Sequence, residues 1–479
     1  MEEAVPDAAT ETRVAPAERR RIIFASVVGT TIEFFDFYIY ATAAVSVFPL
    51  LFFPKGEGTA ALLASMATFG VAFLARPVGS VLFGHYGDRV GRKATLVGSL
   101  LLMGLATFAI GLLPTYHQIG LFAPMLLTIL RFAQGLGLGG EWSGAALLAL
   151  ETAEPGKRGR AAMWPQLGAP FGFILANGTF LLLTVAFGFN STAASLDDPF
   201  LVWGWRLPFL LSIVMVFVGL YVRLRLNETP VFQRAVARGQ RLTSPLIHVF
   251  RNNPRELVLG TGAMIATYGL FYLMTTWVLS YAIGKTELGF LGVNYRDFLV
   301  LQLISVVLFA LFIPVSGYLA DRIGRRLLLI LVTLGIMAFG FSFGTFLSPA
   351  VMGSGAQVDT ALMLTFLSIG MALMGLTFGP MSALLPELFP TNTRYTGSGV
   401  AYNMSSIIGA ALTPFVATWL VLNYGVGAVG VYLAFLGSLT LVSLVLAPET
   451  KDSDLDAMTG TTAPVTGAPE TAVSDVPRS

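Results

Sequence analysis

Long apolar blocks alternate with short polar connections along the whole chain. A helix needs about 20 apolar residues to cross a bilayer's hydrocarbon core, whereas a membrane strand alternates apolar and polar positions. The blocks here do not alternate, so the pattern predicts helices. There are twelve, over 22–52, 60–86, 94–113, 120–150, 161–189, 205–222, 257–284, 298–320, 327–347, 359–386, 397–424 and 428–447. The first follows Arg19-Arg20-Arg21 and is too long for a signal-peptide core, which predicts an uncleaved span. The expected organisation is an N-terminal segment 1–21, a six-helix bundle 22–222, a central loop 223–256, a second bundle 257–447 and a disordered tail 448–479. In the central loop, Arg234, Arg238 and Arg241 lie opposite Phe232 and Val236. That spacing fits a short helix on an anionic membrane surface, and equally a solvated linker.

Composition narrows the class. Charged residues make up 12% of 479 and hydrophobic ones 55%, with a mean hydropathy of +0.74. So little charge cannot wet the surface of a soluble protein of this size. A net charge of +2 gives no nucleic-acid binder, and an absence of cysteine gives no disulfide scaffold, thiol chemistry or cysteine metal site. His85, His117 and His248 have no metal-ligand spacing, and no Walker loop is present. An all-α membrane protein without cofactor or enzymatic constellation is expected. With both ends inside, 23 of the 29 basic residues fall in inside segments. Lys55, Arg206, Lys285 and Arg296 fall outside, and Arg76 and Arg131 lie within spans. That asymmetry predicts an inner-membrane protein with both termini cytoplasmic.

The chain repeats itself. Gly84-x-x-x-Asp88-Arg89-x-Gly91-Arg92-Lys93 follows the second span, and Gly317-x-x-x-Asp321-Arg322-x-Gly324-Arg325-Arg326 follows the eighth, 233 residues later. Glu151 and Arg158 recur as Glu387 and Arg394, and Asn227-Glu228-Thr229 as Pro448-Glu449-Thr450. Three landmarks in one order at similar offsets indicate two related bundles. The Asp88 and Asp321 loops are too charged to line a pore. They read as latches in which the aspartate caps a neighbouring helix N-terminus and pairs with nearby arginines.

An ionisable side chain inside a membrane helix costs several kcal/mol unless it is paired or hydrated. Five lie deep in the first half: Glu33, Asp36, Arg76, Arg131 and Glu141. Glu33 and Asp36 are three apart on one helix face, which Tyr40 extends. Two carboxylates so close cannot both ionise cheaply, so one is expected to hold a proton, with Glu141 sharing the proton-coupling role, unless the carboxylates are fixed counter-ions of Arg76 or Arg131. Arg76, beside Pro77, fits either a bidentate grip on a substrate carboxylate or a fixed pairing with Glu33 or Asp36. Gln134 shares the arginine's side of span four, whose Gly135, Gly139, Gly140 and Gly144 suit close helix packing. Tyr268 and Tyr272 with Thr275, Gln302, Tyr402 and Asn403, and Trp164 and Gln166, offer uncharged contacts for a polar solute or, for the aromatics, interfacial anchors.

The repeated Asp-Arg-x-Gly-Arg segments and Arg131-x-x-Gln134-Gly135 resemble the major facilitator superfamily. Gly29-x-x-x-Glu33-Phe-Phe-Asp36, Leu74-Ala-Arg76-Pro77, Gly139-Gly140-Glu141-Trp142, Gly204-Trp205-Arg206-Leu-Pro208 and Glu228-Thr229-Pro230 resemble its metabolite:proton symporter family, with the shikimate-permease-like branch nearest in wording. Phe34-Phe35 departs from the Trp-Tyr often found there. The resemblance implies twelve helices in two six-helix bundles, a central cavity beside spans one and four, and a coupling role for Arg131. The function it implies is alternating-access uptake of a small carboxylate-bearing or zwitterionic metabolite with a proton, by a monomer in the bilayer. Proton-antiport efflux and a passive channel are the competing expectations.

Overall fold

The computed structural model describes residues 16–54, 58–90, 92–139, 146–147, 149–150, 153–154, 156–189, 195–224, 245–390 and 393–451. No strand occurs among them. The first half contains α1 (Pro16–Ser46), α2 (Gly58–Val90), α3 (Arg92–Leu112), α4 (Phe122–Leu138), α5 (Arg158–Ala186) and α6 (Phe200–Val222). The second contains α7 (Pro254–Ile283), α8 (Tyr295–Ile323), α9 (Arg325–Phe346), α10 (Thr360–Glu387), α11 (Arg394–Tyr424) and α12 (Val426–Leu446). Ten are long and apolar enough to cross a bilayer, and the apolar stretches of α3 and α4, Val97–Leu112 and Phe122–Leu138, are shorter. Together they match the twelve expected spans.

One end differs in kind from expectation. The first span ends at Ser46 rather than continuing to 52, and a separate turn, Phe48–Leu51, follows. Pro49 has no N–H to give the preceding turn, and its ring crowds the carbonyl four residues back. Span four is helical to Leu138, and residues 140–145 lie outside the described residues, as does the 232–241 stretch. The central connection does hold one short helix, Pro245–Asn252. After α12 the chain leaves the helix, and residues 452–479 of the tail lie outside the described residues, but residues 449 and 450 are held by contacts. Glu449 Oε1 and Oε2 accept the backbone N–H groups of Arg325 (2.9 Å) and Arg326 (3.0 Å), capping α9, and Thr450 is buried. An acidic cap on a helix N-terminus satisfies donors that have no partner within the helix.

Within the first half α1 packs on α5, α2 on α4, and α3 on α4 and α6; within the second α8 packs on α10, α9 on α12, and α7 on α11 and α12. The halves meet where α5 lies against α8 and α10, and where α2 lies against α11. Glycine permits the closest approaches. A Cβ on Gly135 would stand 2.7 Å from Ala72 Cα on α2, and one on Gly159 would stand 2.8 Å from Gly317 O across the seam. Outward faces remain apolar and exposed, as Val431, Phe435 and Val442 on α12 show, because lipid is their solvent.

Three spans are not uniform helices. Wider π-helical turns open α6 at Phe200–Gly204 and interrupt α7 at Leu273–Trp277 and α11 at Ile407–Ala411. Such turns disturb the regular i→i−4 ladder. In α7, Gln302 of α8 compensates, its Nε2 donating to Met274 O at 3.1 Å. Its amide thus serves the backbone of the wide turn.

Candidate functional site

The deep arginines share an aromatic cage built by both halves. Arg131 Cζ lies 3.9 Å from the Tyr40 ring centroid, 5.1 Å from Phe69 and 5.3 Å from Phe37. Arg76 Cζ lies 4.8 Å from Phe73 and 5.8 Å from the same Phe37. Tyr272 of α7 closes the cage edge-on to Phe37 (5.4 Å), Phe69 (5.7 Å) and Phe73 (5.3 Å). Tyr268 continues it, stacked on Tyr272 at 6.2 Å and tilted against Tyr402 at 5.3 Å. Ring faces attract a guanidinium without consuming its N–H donors. Accordingly Arg76 Nε and Arg131 Nε and Nη2 are buried with no hydrogen-bond partner.

The carboxylates divide between two surroundings. Glu33 is buried on the chamber side, where Arg76, Tyr272 and Tyr402 are its electrostatic neighbours. Asp36, fully buried, turns to α3, where Thr107 Oγ1 stands 3.4 Å from its Oδ2 and Oδ1 has no partner. Sharing a helix face thus does not give the two one environment: a three-residue step advances about 300° round the helix, leaving the side chains some 60° apart. Gln134 links the two sides. Its Oε1 accepts from Arg131 Nη1, and its Nε2 donates to Thr107 Oγ1 at 2.9 Å. Glu141 lies outside the described residues.

Other expected contacts are placed elsewhere. Trp164 is 39% exposed and falls on one stripe of α5 with exposed Phe171, Leu175 and Leu182. That stripe is exposed on the outside of α5, which fits the anchoring alternative for Trp164; Gln166 is buried two residues on. Asn403 Nδ2 donates to Ser80 Oγ (2.7 Å) and Gly139 O (3.1 Å), tying α11 to α2 and the end of α4 instead of presenting a free amide. The Tyr40 hydroxyl donates to Thr68 Oγ1 at 2.9 Å, so its ring, rather than its hydroxyl, serves the chamber.

At the face carrying both chain ends, Asp321 Oδ1 and Oδ2 accept the backbone N–H groups of Gly159 (2.8 Å) and Arg160 (3.1 Å). An α8 aspartate therefore caps the start of α5 in the other half. Arg325 Nη2 approaches Asp321 Oδ1 at 3.3 Å, and its Nε approaches Glu387 Oε2 at 3.2 Å. Thr450 Oγ1 donates to Glu387 Oε2 at 2.6 Å. Arg160 and Arg322, one from each half, both sit 4.5 Å from the Tyr318 ring. Ser382 Oγ donates across the seam to Ala162 O at 2.8 Å. The side chains of Gly84, Asp88, Arg89, Gly91 and Arg92 are outside the described set.

Thr107, Thr68, Glu387 and Thr450 were not among the candidates. Glu387 had a signal, its 236-residue offset from Glu151. The threonines had none, since a threonine in an apolar helix usually bonds its own backbone.

A family model described as Major Facilitator Superfamily matches residues 27–407 and 290–476. The chain is 52% identical over 438 residues to the inner membrane metabolite transport protein YhjE of Escherichia coli (strain K12), covering 91% of this chain and 96% of that one. It is 34% identical over 450 residues to the shikimate transporter of the same organism, covering 92% and 97%. It is 33% identical over 420 residues to that organism's proline/betaine transporter, covering 86% and 79%. Among solved structures, the proton:xylose symporter XylE bound to 6-bromo-6-deoxy-D-glucose superposes with a TM-score of 0.68 at 18% identity, covering 92% of this chain and 98% of that one. That likeness is one of fold. The chain is a multi-pass membrane transporter and not an enzyme, and it belongs to the Major Facilitator Superfamily.

Proposed function

We propose that the protein takes up a small carboxylate-bearing metabolite together with a proton across the inner membrane, by alternating access, with its terminal face cytoplasmic. The observation that carries this reading is the set of three buried, partnerless guanidinium nitrogens of Arg76 and Arg131. A buried cationic donor without an acceptor is costly, and an incoming carboxylate supplies the acceptors. Charge balance supports the proton. Across the chamber and the Asp36 side behind it, Arg76 and Arg131 against ionised Glu33 and Asp36 sum to zero, so a bound anion makes this buried region −1. One proton on a carboxylate restores zero, which a low-dielectric chamber favours. Shikimate and proline/betaine, named for the relatives, each carry a carboxylate, and both relatives stand at nearly the same identity.

The test is reconstitution into liposomes with an imposed pH gradient and labelled organic acids and betaines. Accumulation of an acid that collapses when the gradient is dissipated is expected. A zwitterion adds no net charge, so its co-transport with a proton would move charge and respond to membrane potential. Gradient-driven export of every solute tried would replace symport with antiport. Arg76→Lys keeps the charge but loses the planar fork, and should raise KM about tenfold; an unchanged KM removes Arg76 from the binding role.

A further inference from the structure

The geometry points to the Thr107 hydroxyl on α3 as the group that reads the protonation state of Asp36 and passes it, through Gln134, to Arg131. This rests on the proton-coupled reading above and assigns a positioning role to a residue outside the arginine-lined chamber.

A hydroxyl has one hydrogen and two lone pairs. Three groups surround Thr107 Oγ1: Met103 O at 2.9 Å, Gln134 Nε2 at 2.9 Å and Asp36 Oδ2 at 3.4 Å. Met103 O only accepts, so at 2.9 Å it takes the hydroxyl hydrogen. Gln134 Nε2 only donates, so it fills one lone pair. The second lone pair then faces Asp36. A protonated Asp36 completes the set by donating its O–H into that lone pair. An ionised Asp36 facing a lone pair is repelled, and draws the hydroxyl hydrogen from Met103 O to itself. The Met103 carbonyl loses little, because the helix N–H four residues on still bonds it.

The hydroxyl is thus a rotor between two acceptors, and the charge of Asp36 sets its position. Turning it moves the lone pair that Gln134 Nε2 uses. Gln134 also donates from Nε2 to Asp36 O at 3.4 Å, and its rigid amide ends in Oε1, which holds Arg131 Nη1. A shift at Nε2 therefore changes the grip on Arg131, whose Nε and Nη2 are buried without a hydrogen-bond partner. The deep charged residues on the surrounding helices are Arg131 on α4 and Arg76 on α2, with Glu33 one turn earlier on α1 itself. Of the membrane stretches of α3, α5, α6 and α7, only that of α6 carries a charged residue, Arg206, whose Nη1 donates to Gly111 O (2.8 Å) and Leu113 O (2.7 Å) at the end of α3.

The experiment is an infrared pH titration of the purified full chain, following the carbonyl band of a protonated carboxyl assigned by its loss in Asp36→Asn. Thr107→Val keeps the side-chain shape and removes the hydroxyl, so the ionised carboxylate loses its donor. Its midpoint is expected to move to higher pH by about one unit, and Thr107→Ser is expected to return it near wild type. An unmoved midpoint in Thr107→Val overturns the proposal, as does failure of Thr107→Ser to restore it. Circular-dichroism melts confirm that the variants fold. Liposome uptake separates the two readings. A wild type that never accumulates solute with the pH gradient, while its carboxyl titration still depends on Thr107, overturns symport and leaves the Thr107 contact standing. A Thr107-independent titration in a wild type that does accumulate solute overturns the Thr107 role alone.

Discussion

Asp321 Oδ1 accepts the backbone N–H of Gly159 at 2.8 Å, a hydrogen bond that crosses from the second bundle to the first. The carboxylate is almost fully buried, pairs with Arg325 of its own bundle at 3.3 Å and lies 3.6 Å from the Arg160 guanidinium of the first. It therefore holds the seam by charge as well as by hydrogen bonding. Asp321→Asn keeps the shape but removes the charge, and charge-assisted hydrogen bonds contribute about 1.5–3 kcal/mol. The seam should open more often. The chain has no cysteine, so Met163→Cys places a single thiol there. Its alkylation should run about tenfold faster with Asp321→Asn than without it. Equal rates would remove the latch role.

The same seam predicts a glycine effect. A Cβ at Gly159 would stand 2.8 Å from both Asp321 Oδ1 and Gly317 O, whereas one at Gly178, on the same helix, meets nothing within 4 Å. Backbone on one side and a fixed carboxylate on the other leave little room to yield. Gly159→Ala should lower the transport rate several-fold through a strained closed state. Gly178→Ala should stay within about 0.5 kcal/mol of wild-type stability, as ordinary surface changes do. Thermal unfolding in detergent and initial uptake rates check both.

Spans and repeats were legible because lipid imposes a length and a polarity on any helix that crosses it. The capping aspartate was legible at Asp321 because its loop recurs at a fixed offset. Direction within a span was not. Trp164 and Gln166 sit two residues apart on a helix that is apolar nearly all round, so the sequence carries no stripe telling lipid from interior. The cage was half legible: Arg76 and Arg131 stand out as charges. The rings that hold them are ordinary among 37 Phe and 14 Tyr. Asn403 looked like a free donor because nothing local reveals that α2 and α4 approach it from the other bundle.

Glu154 links Arg19 and Lys157 at the terminal face, each at 2.7 Å. The Lys157 ammonium and then the Arg19 guanidinium hold its carboxyl down at about 2. A carboxyl lowered on folding stabilises the fold above its unfolded value, and that contribution is lost only as pH falls through the folded one. Between pH 5 and 8 the group stays ionised, so Glu154→Gln should leave the shape of the uptake pH profile unchanged. A profile shifted within that window would show that this surface link takes part in proton coupling.

Trp164→Ala should leave KM for the transported solute within about twofold, because its ring shares an exposed apolar stripe of α5 with Phe171, Leu175 and Leu182. Tyr272→Ala removes a ring that touches three others in the cage and should weaken binding about tenfold or more. Direct binding by calorimetry, with the solute found in the liposome screen, compares the two. Equal losses would place Trp164 at the chamber.

Tyr40 separates a ring from a hydroxyl. Its ring carries the Arg131 guanidinium at 3.9 Å, while its hydroxyl donates to Thr68 at 2.9 Å. Tyr40→Phe keeps the platform and loses only the bond to α2, a net effect of about 1 kcal/mol on stability. Tyr40→Leu keeps an apolar side chain but removes the ring face, and a desolvated cation–π contact contributes about 2 kcal/mol. Arg131 would then be left buried without the ring that lies closest to it. Transport by Tyr40→Leu should fall by roughly thirtyfold, while Tyr40→Phe remains close to wild type with a somewhat lower melting temperature. The opposite order, with Phe as damaging as Leu, would mean that the hydroxyl rather than the ring serves transport.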